Sequence, residues 1–132
     1  MNTIPTVVVV DDDEDSLQIF AAVLSRRGYH PVPVTDGKAG LDIIRRIVPD
    51  LVVTDYQIPR FDGCELVEAL SRDPATARIP TILVTADARP EVRTRAAQAG
   101  CTDLLLKPTD PFTLTERIRE LLHPDRALAE VG

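Results

Sequence analysis

The chain has 132 residues, a length that suits one domain with a single core, and its 44% hydrophobic and 27% charged residues mark a globular chain and not a disordered one. Its net charge of −6 argues against nucleic-acid binding by general electrostatics. Aromatic residues make up only 4%, with no Trp, so aliphatic side chains must fill the core.

The apolar run TVVVV at 6–10 is β-branched and continuous, the pattern of a strand covered on both faces in a parallel sheet. DDDEDS follows at once, and then Leu17, Phe20, Ala21 and Leu24 recur at helical spacing, with Gly28 as the stop. HPVPV at 30–34 is a weaker strand. Its prolines cost ladder hydrogen bonds, which places it at a sheet edge. Asp36 can cap a second helix with Leu41, Ile44 and Ile47 on one face, ended by Pro49-Asp50.

LVVT at 51–54 is again a buried strand, closed by Asp55. A short loop turns at Pro59, and Asp62-Gly63 closes it as a turn and helix cap. Leu66, Val67 and Leu70 mark the third helix, and TILVT at 81–85 the fourth strand. Pro90 opens a helix with Val92, Ala96 and Ala99 inward and Gly100 as its stop. DLLLK at 103–107 is the fifth strand, and Asp110-Pro111 starts a last helix carrying Leu114, Ile118 and Leu121. Alternating strands and helices with short connections imply a doubly wound α/β sandwich on a parallel sheet.

Residues 123–132 lack periodicity and read as a tail, leaving 1–122 as the domain. Met1 is consistent with a natural start. No signal peptide is recognisable, and VVVV is too short to span a bilayer, so a soluble protein in a reducing compartment is expected. Cys64 and Cys101 follow no metal or disulfide spacing and read as small buried apolar residues.

Ligands of open parallel sheets bind beyond the carboxyl ends of the strands. The residues there are Asp11 and Asp12, Asp55, Thr85 and Lys107. Crowded carboxylates repel one another unless a cation is present. Mg²⁺ suits such a site, since it takes oxygen ligands from one or two carboxylates together with phosphate oxygens. A carboxylate can attack phosphorus to give an aspartyl phosphate. Metal and ammonium would neutralise the charge that develops, and Thr85 could donate a hydrogen bond to a phosphoryl oxygen.

VVVVDDDED, PDLVVTDYQIPRFDG, IPTILVTAD and LLLKP, in that order, resemble the receiver domain of bacterial two-component response regulators, in its single-domain, chemotaxis-regulator-like form. The resemblance runs from about Thr6 to Leu122. It implies a flavodoxin-like, three-layer fold with a five-stranded parallel sheet in the order 2-1-3-4-5. It implies Asp55 as phosphoacceptor and Asp11 and Asp12 as the Mg²⁺-holding pair, with Asp12 the more direct ligand. Gln57 would add its backbone carbonyl to the metal, Thr85 would be the switch hydroxyl, and Lys107 would pair with the phosphoryl group. The Lys107-Pro108 bond is expected to be cis. Gln57 and Asp87 flank the mouth of the site and are expected to tune hydrolysis of the aspartyl phosphate.

The implied partners are a sensor histidine kinase or histidine phosphotransfer protein, and a downstream protein on the face of the fourth helix, fifth strand and fifth helix. Direct nucleic-acid contact, membrane insertion and turnover as an enzyme are not expected; a cytoplasmic location is. One position departs from the family. Leu104 stands where an aromatic residue usually reports phosphorylation. Two other readings compete. A haloacid-dehalogenase-type phosphatase fits the Asp11–Asp13 spacing but not Asp15, and a docking module that no longer takes phosphate fits the fold but not the intact site.

Overall fold

A computed structural model of the chain describes residues 4–124. Five strands alternate with five helices: β1 (Thr6–Val10), α1 (Glu14–Arg26), β2 (His30–Val34), α2 (Gly37–Ile47), β3 (Leu51–Asp55), α3 (Gly63–Arg72), β4 (Thr81–Thr85), α4 (Pro90–Ala99), β5 (Asp103–Leu106) and α5 (Pro111–Leu122). All pairings are parallel, in the order β2-β1-β3-β4-β5. The flavodoxin-like order and the edge position of the proline-bearing β2 are as expected.

The parity of the strand residues sorts the core into layers. Val7, Val9, Leu51, Val53, Ile82 and Val84 point to one face and pack against Leu17 and Leu24 of α1 and Leu114 and Ile118 of α5. Val8, Val10 and Val52 point the other way, onto Ile44 of α2 and Leu66 and Leu70 of α3. Leu83 of β4 joins Cys64 and Val67 of α3 and Ala96 and Ala99 of α4 on that second face. Each Leu or Ile fully buried this way contributes roughly 1.5–3 kcal/mol, which explains why a core without Trp suffices. Ile47 departs from the expected stripe. It lies 44% exposed, one residue before Val48 turns left-handed at φ 46° and ends α2.

The helix starts follow the capping residues. Asp13, Asp36, Asp62 and Asp110 accept backbone N–H bonds at the starts of α1, α2, α3 and α5. Gly100 ends α4 at φ 99°. Asp50 works beyond its own turn. Its Oδ2 accepts from the backbone N–H of Thr6 at 2.7 Å, which ties the start of β1 to the α2–β3 connection. Among the described residues, no helix is long and apolar enough to cross a membrane. The proposed tail lies outside the described residues apart from its first two; of these, His123 caps α5 and stacks on Tyr29 with ring centres 6.2 Å apart.

Candidate functional site

The carboxyl ends of β1, β3, β4 and β5 bring five side chains to one edge of the sheet. Asp55 is the last residue of β3, in register with Val84, one place before Thr85. It is 9% exposed. Lys107 follows β5 and reaches back across 52 positions of sequence, its Nζ donating to Asp55 Oδ2 at 2.7 Å. The backbone of Lys107 is itself anchored, its N–H donating to the carbonyl of Thr85 at 2.8 Å. The Lys107–Pro108 peptide bond is cis, as the resemblance implied.

Asp11 and Asp12 directly follow β1, and one carboxylate oxygen from each of Asp11, Asp12 and Asp55 lies within 4.8 Å of the others. Asp11 is buried and Asp12 exposed. Burial pushes the Asp11 carboxyl up, and the neighbouring Asp55 and Asp12 charges add to this, against a backbone bond from Asp13 and the charge of Lys107. For Lys107, burial pulls the ammonium down, but the hydrogen bond and charge of Asp55, with Asp11 and Asp12, outweigh it and raise its pKa. Three carboxylates against one ammonium leave two formal negative charges uncompensated. An all-oxygen donor set with that balance fits a hard divalent cation.

Thr85 is buried, and its Oγ1 accepts from the backbone N–H of Asp87 at 3.0 Å. That bond uses a lone pair and leaves the hydroxyl proton available for donation. Asp87 in turn is gripped by Arg89, whose Nε and Nη2 reach its two carboxylate oxygens at 2.9 and 2.7 Å. The Arg89 bonds hold the Asp87 carboxyl below the usual range. Gln57 is exposed in the loop after β3.

That loop is pinned on both sides. Toward α2, Arg60 takes the left-handed conformation at φ 68° and forks onto both oxygens of Asp36 at 3.1 Å. There the N–H of Gly37 donates to the carbonyl of Pro59 at 3.3 Å. Toward α3, Gly63 sits so close to the site that a Cβ would stand 2.3 Å from the carbonyl oxygen of Asp55. Here glycine is required by space, not by its φ.

The acidic run behind Asp12 divides by role. Asp13 caps α1, its carboxylate accepting from the N–H of Asp15 and the hydroxyl of Ser16. Those bonds occupy the aspartate that a dehalogenase-type phosphatase would need beside Asp11. A second cluster has no signal in the sequence. Arg95 of α4 bonds both Tyr56 and Asp62, residues 39 and 33 positions away. Neither local spacing nor composition links them; only the packing of α3 beside α4 does.

With this geometry in place, comparison with known proteins is specific. The family model described as Response regulator receiver domain matches residues 7–119. The chain belongs to this family. Hybrid signal transduction histidine kinase D of Dictyostelium discoideum is 37% identical over 123 residues, 93% of this chain but 8% of that protein. This receiver domain thus spans under a tenth of the length of that curated relative. Among solved structures, chemotaxis response regulator CheY4 of Vibrio cholerae superposes with a TM-score of 0.85 at 27% identity, over 91% of this chain and all of that one. The receiver domain of sensor histidine kinase PA1611 from Pseudomonas aeruginosa PAO1 gives 0.83 at 25% identity, over 91% and 98% of the two chains, and holds a coordinated magnesium ion in its active-site cleft. A receiver domain is a component of two-component signalling.

Proposed function

We propose that Asp55 is the phosphoacceptor and that the domain is switched by its phosphorylation. The observation that carries this reading is the Lys107 ammonium 2.7 Å from Asp55 Oδ2 in a buried acidic site. A carboxylate oxygen of Asp55 attacks the phosphorus of a phosphohistidine on a sensor kinase or histidine phosphotransfer protein. The P–N bond breaks, its electron pair returns to the imidazole nitrogen, and an acyl phosphate forms. Lys107 moves its ammonium from the bare carboxylate to a phosphoryl oxygen, and Thr85 donates its hydroxyl proton to another. In hydrolysis, water attacks phosphorus, the acyl phosphate P–O bond breaks, and inorganic phosphate leaves a free Asp55 carboxylate.

Asp11, Asp12, Asp55 and the backbone carbonyl of Gln57 are the residues that would hold Mg²⁺. When bound, the ion neutralises charge on the phosphoryl oxygens. The residues present fit it, because three oxygen donors already converge and their charge exceeds what Lys107 balances. Gln57 and Asp87, at the rim, set the access of the attacking water.

Phosphorylation then shifts the domain between two arrangements and changes a partner-binding face. In this reading that face is α4, β5 and α5, where Leu106 and Phe112 lie 41% and 61% exposed. The partner is a protein and not a nucleic acid, given the net charge of −6. The kinase side points to the cytoplasm as the place of action. The domain is residues 1–122, with 123–132 as its tail. Phosphotransfer from candidate kinases to the wild type and to Asp55→Asn, followed by capture of partners on each form, tests the site and the output together. Transfer to both proteins alike would refute the assignment of Asp55.

A further inference from the structure

A polar connection of three side chains runs from the loop after Asp55 to helix α4. Nη1 of Arg95 donates to the Tyr56 hydroxyl at 3.1 Å and to Asp62 Oδ2 at 3.0 Å. Its guanidinium carbon stands 5.8 Å from the centre of the Tyr56 ring, within cation–π range. Tyr56 is the residue after Asp55. Its N–H donates to the carbonyl of Val84 at 3.0 Å, and its carbonyl accepts from Gly63 at 2.8 Å. Any shift of the Asp55 backbone therefore moves the ring that Arg95 holds. Asp62 is fixed as well, since it forms a reciprocal capping box with Glu65 at the start of α3.

Helix α4 is held unequally along its length. At its C-terminal end the Ser71 hydroxyl of α3 lies 2.8 Å from the carbonyl of Ala99, and a Cβ on Gly100 would meet Ser71 Oγ at 2.4 Å. At its N-terminal end Arg89 makes no side-chain capping bond. Arg95 stands between these ends. An open groove lined by Glu68, Ser71, Arg95 and Gln98 gives its side chain room to swing. Tyr56 and Leu104 pack on the same cluster of Cys64, Leu83, Ala96 and Ala99. Leu104 has no polar side-chain atom, so from that cluster the hydroxyl facing α4 is that of Tyr56.

We propose that Arg95 is a positioning residue that carries the state of Asp55 to α4, latched on Tyr56 and Asp62 in the unmodified domain and released or reset when Asp55 is phosphorylated, with the Ser71–Ala99 contact as the pivot. This rests on the reading of Asp55 as phosphoacceptor. A phosphoryl group brings added negative charge and three acceptor oxygens beside the Tyr56 backbone. The polar link through Arg95 is the route by which that change reaches the uncapped half of α4.

The test is amide hydrogen exchange across α4 of the full 132-residue chain, before and after treatment with acetyl phosphate and Mg²⁺. Intact mass gives the phosphorylated fraction, and urea unfolding confirms that each variant is folded. Wild type is compared with Arg95→Gln and with Tyr56→Phe, which keeps the ring and removes the hydroxyl. All three should take the phosphoryl group to within about twofold, the wild-type α4 exchange should change by about threefold or more, and the variants should show less than about half of that response. A purely structural staple would alter exchange equally in both states and leave the phosphorylation-dependent difference intact; that result overturns the latch. If Arg95→Gln fails to fold, Tyr56→Phe decides alone. A wild type that gains no phosphoryl mass refutes the function and the latch together, whereas normal mass gain with a wild-type response in both variants refutes the latch only.

Discussion

The ammonium of Lys107 meets the carboxylate of Asp55 at 2.7 Å, although Asp55 ends β3 and Lys107 follows β5, two strands separated by β4 in the sheet. The contact spans that gap at the strand ends, and the backbone of Lys107 is itself held there, its N–H donating to the carbonyl of Thr85 at 2.8 Å. Two of the three polar groups assigned to phosphoryl chemistry are thus fixed to one another before any phosphoryl group arrives. In a site this buried, such preorganisation is where an electrostatic contribution to transfer comes from.

Replacing Lys107 with Ala removes the cation and leaves Asp55 beside two further carboxylates. Phosphoryl transfer to Asp55 should slow by about tenfold or more, the scale expected for removing one stabilising charge. Transfer rates from a phosphorylated donor, measured by rapid quench, give the comparison. A rate equal to wild type would remove Lys107 from the site.

Asp11→Asn and Asp12→Asn each remove one of the carboxylates proposed to hold the metal. Mg²⁺ affinity, measured by calorimetry because the chain has no Trp, should fall at least about tenfold in each. Chelation of the ion from the wild type should stop phosphoryl acceptance. Undiminished acceptance in excess chelator would contradict a metal-dependent step.

Gly63→Ala places a methyl group against the Asp55 carbonyl and Leu83, at 2.3 and 2.7 Å before any adjustment. Backbone must shift, and such overpacking costs about 1–3 kcal/mol. The variant should lose that stability in urea and also accept phosphate more slowly, because the atom it displaces belongs to Asp55. A destabilised variant with a wild-type transfer rate would show that the loop adjusts without disturbing the site.

Much of this was legible in the sequence. The β-branched runs, the capping aspartates and the strand-end positions of Asp11, Asp12, Asp55, Thr85 and Lys107 all carry local signals. Other features have none. The exposure of Ile47 depends on where Val48 breaks α2, and a positive φ at valine has no sequence signature. Arg60 on Asp36 and Arg95 on Tyr56 and Asp62 are pairings across tertiary contacts, and the local capping signals at Asp36 and Asp62 say nothing about which arginine reaches them. Tyr56 is a case in point: its ring packs on the α3–α4 side of the sheet, but its hydroxyl finds a partner on a helix formed much later in the chain.

Gln57→Ala and Asp87→Ala test control of the reverse step. Each should change the half-life of the phosphorylated domain by about twofold or more, because water placement contributes directly to the barrier for hydrolysis. For Asp87, freeing the carboxylate with Arg89→Ala should shift the half-life as well, since Arg89 occupies both of its oxygens. Half-lives unchanged across all three variants would rule out the rim residues as timers.

The cysteines give a pH signature. Burial pushes the Cys64 thiol up to about 11. A thiol whose folded pKa lies above its unfolded value is neutral in both states at low pH, so it adds no pH dependence there. As pH rises past the unfolded value near 8.5, the unfolded chain loses this proton first and stability falls, by up to about 1.4 kcal/mol per pH unit until the folded thiol titrates. Urea unfolding from pH 8 to 10.5 should therefore steepen in wild type relative to Cys64→Ala. Parallel curves would mean that the Cys64 thiol ionises in the fold as readily as in the unfolded chain.

The central claim is that Asp55 takes a phosphoryl group in a Mg²⁺-dependent reaction. The most direct measurement is intact mass of the wild type and of Asp55→Asn after acetyl phosphate or phosphoramidate with Mg²⁺, with peptide mapping of the product. The wild type should gain one phosphoryl mass on the peptide that contains Asp55, and Asp55→Asn should gain none. No gain in the wild type, or an equal gain in Asp55→Asn, would contradict the account.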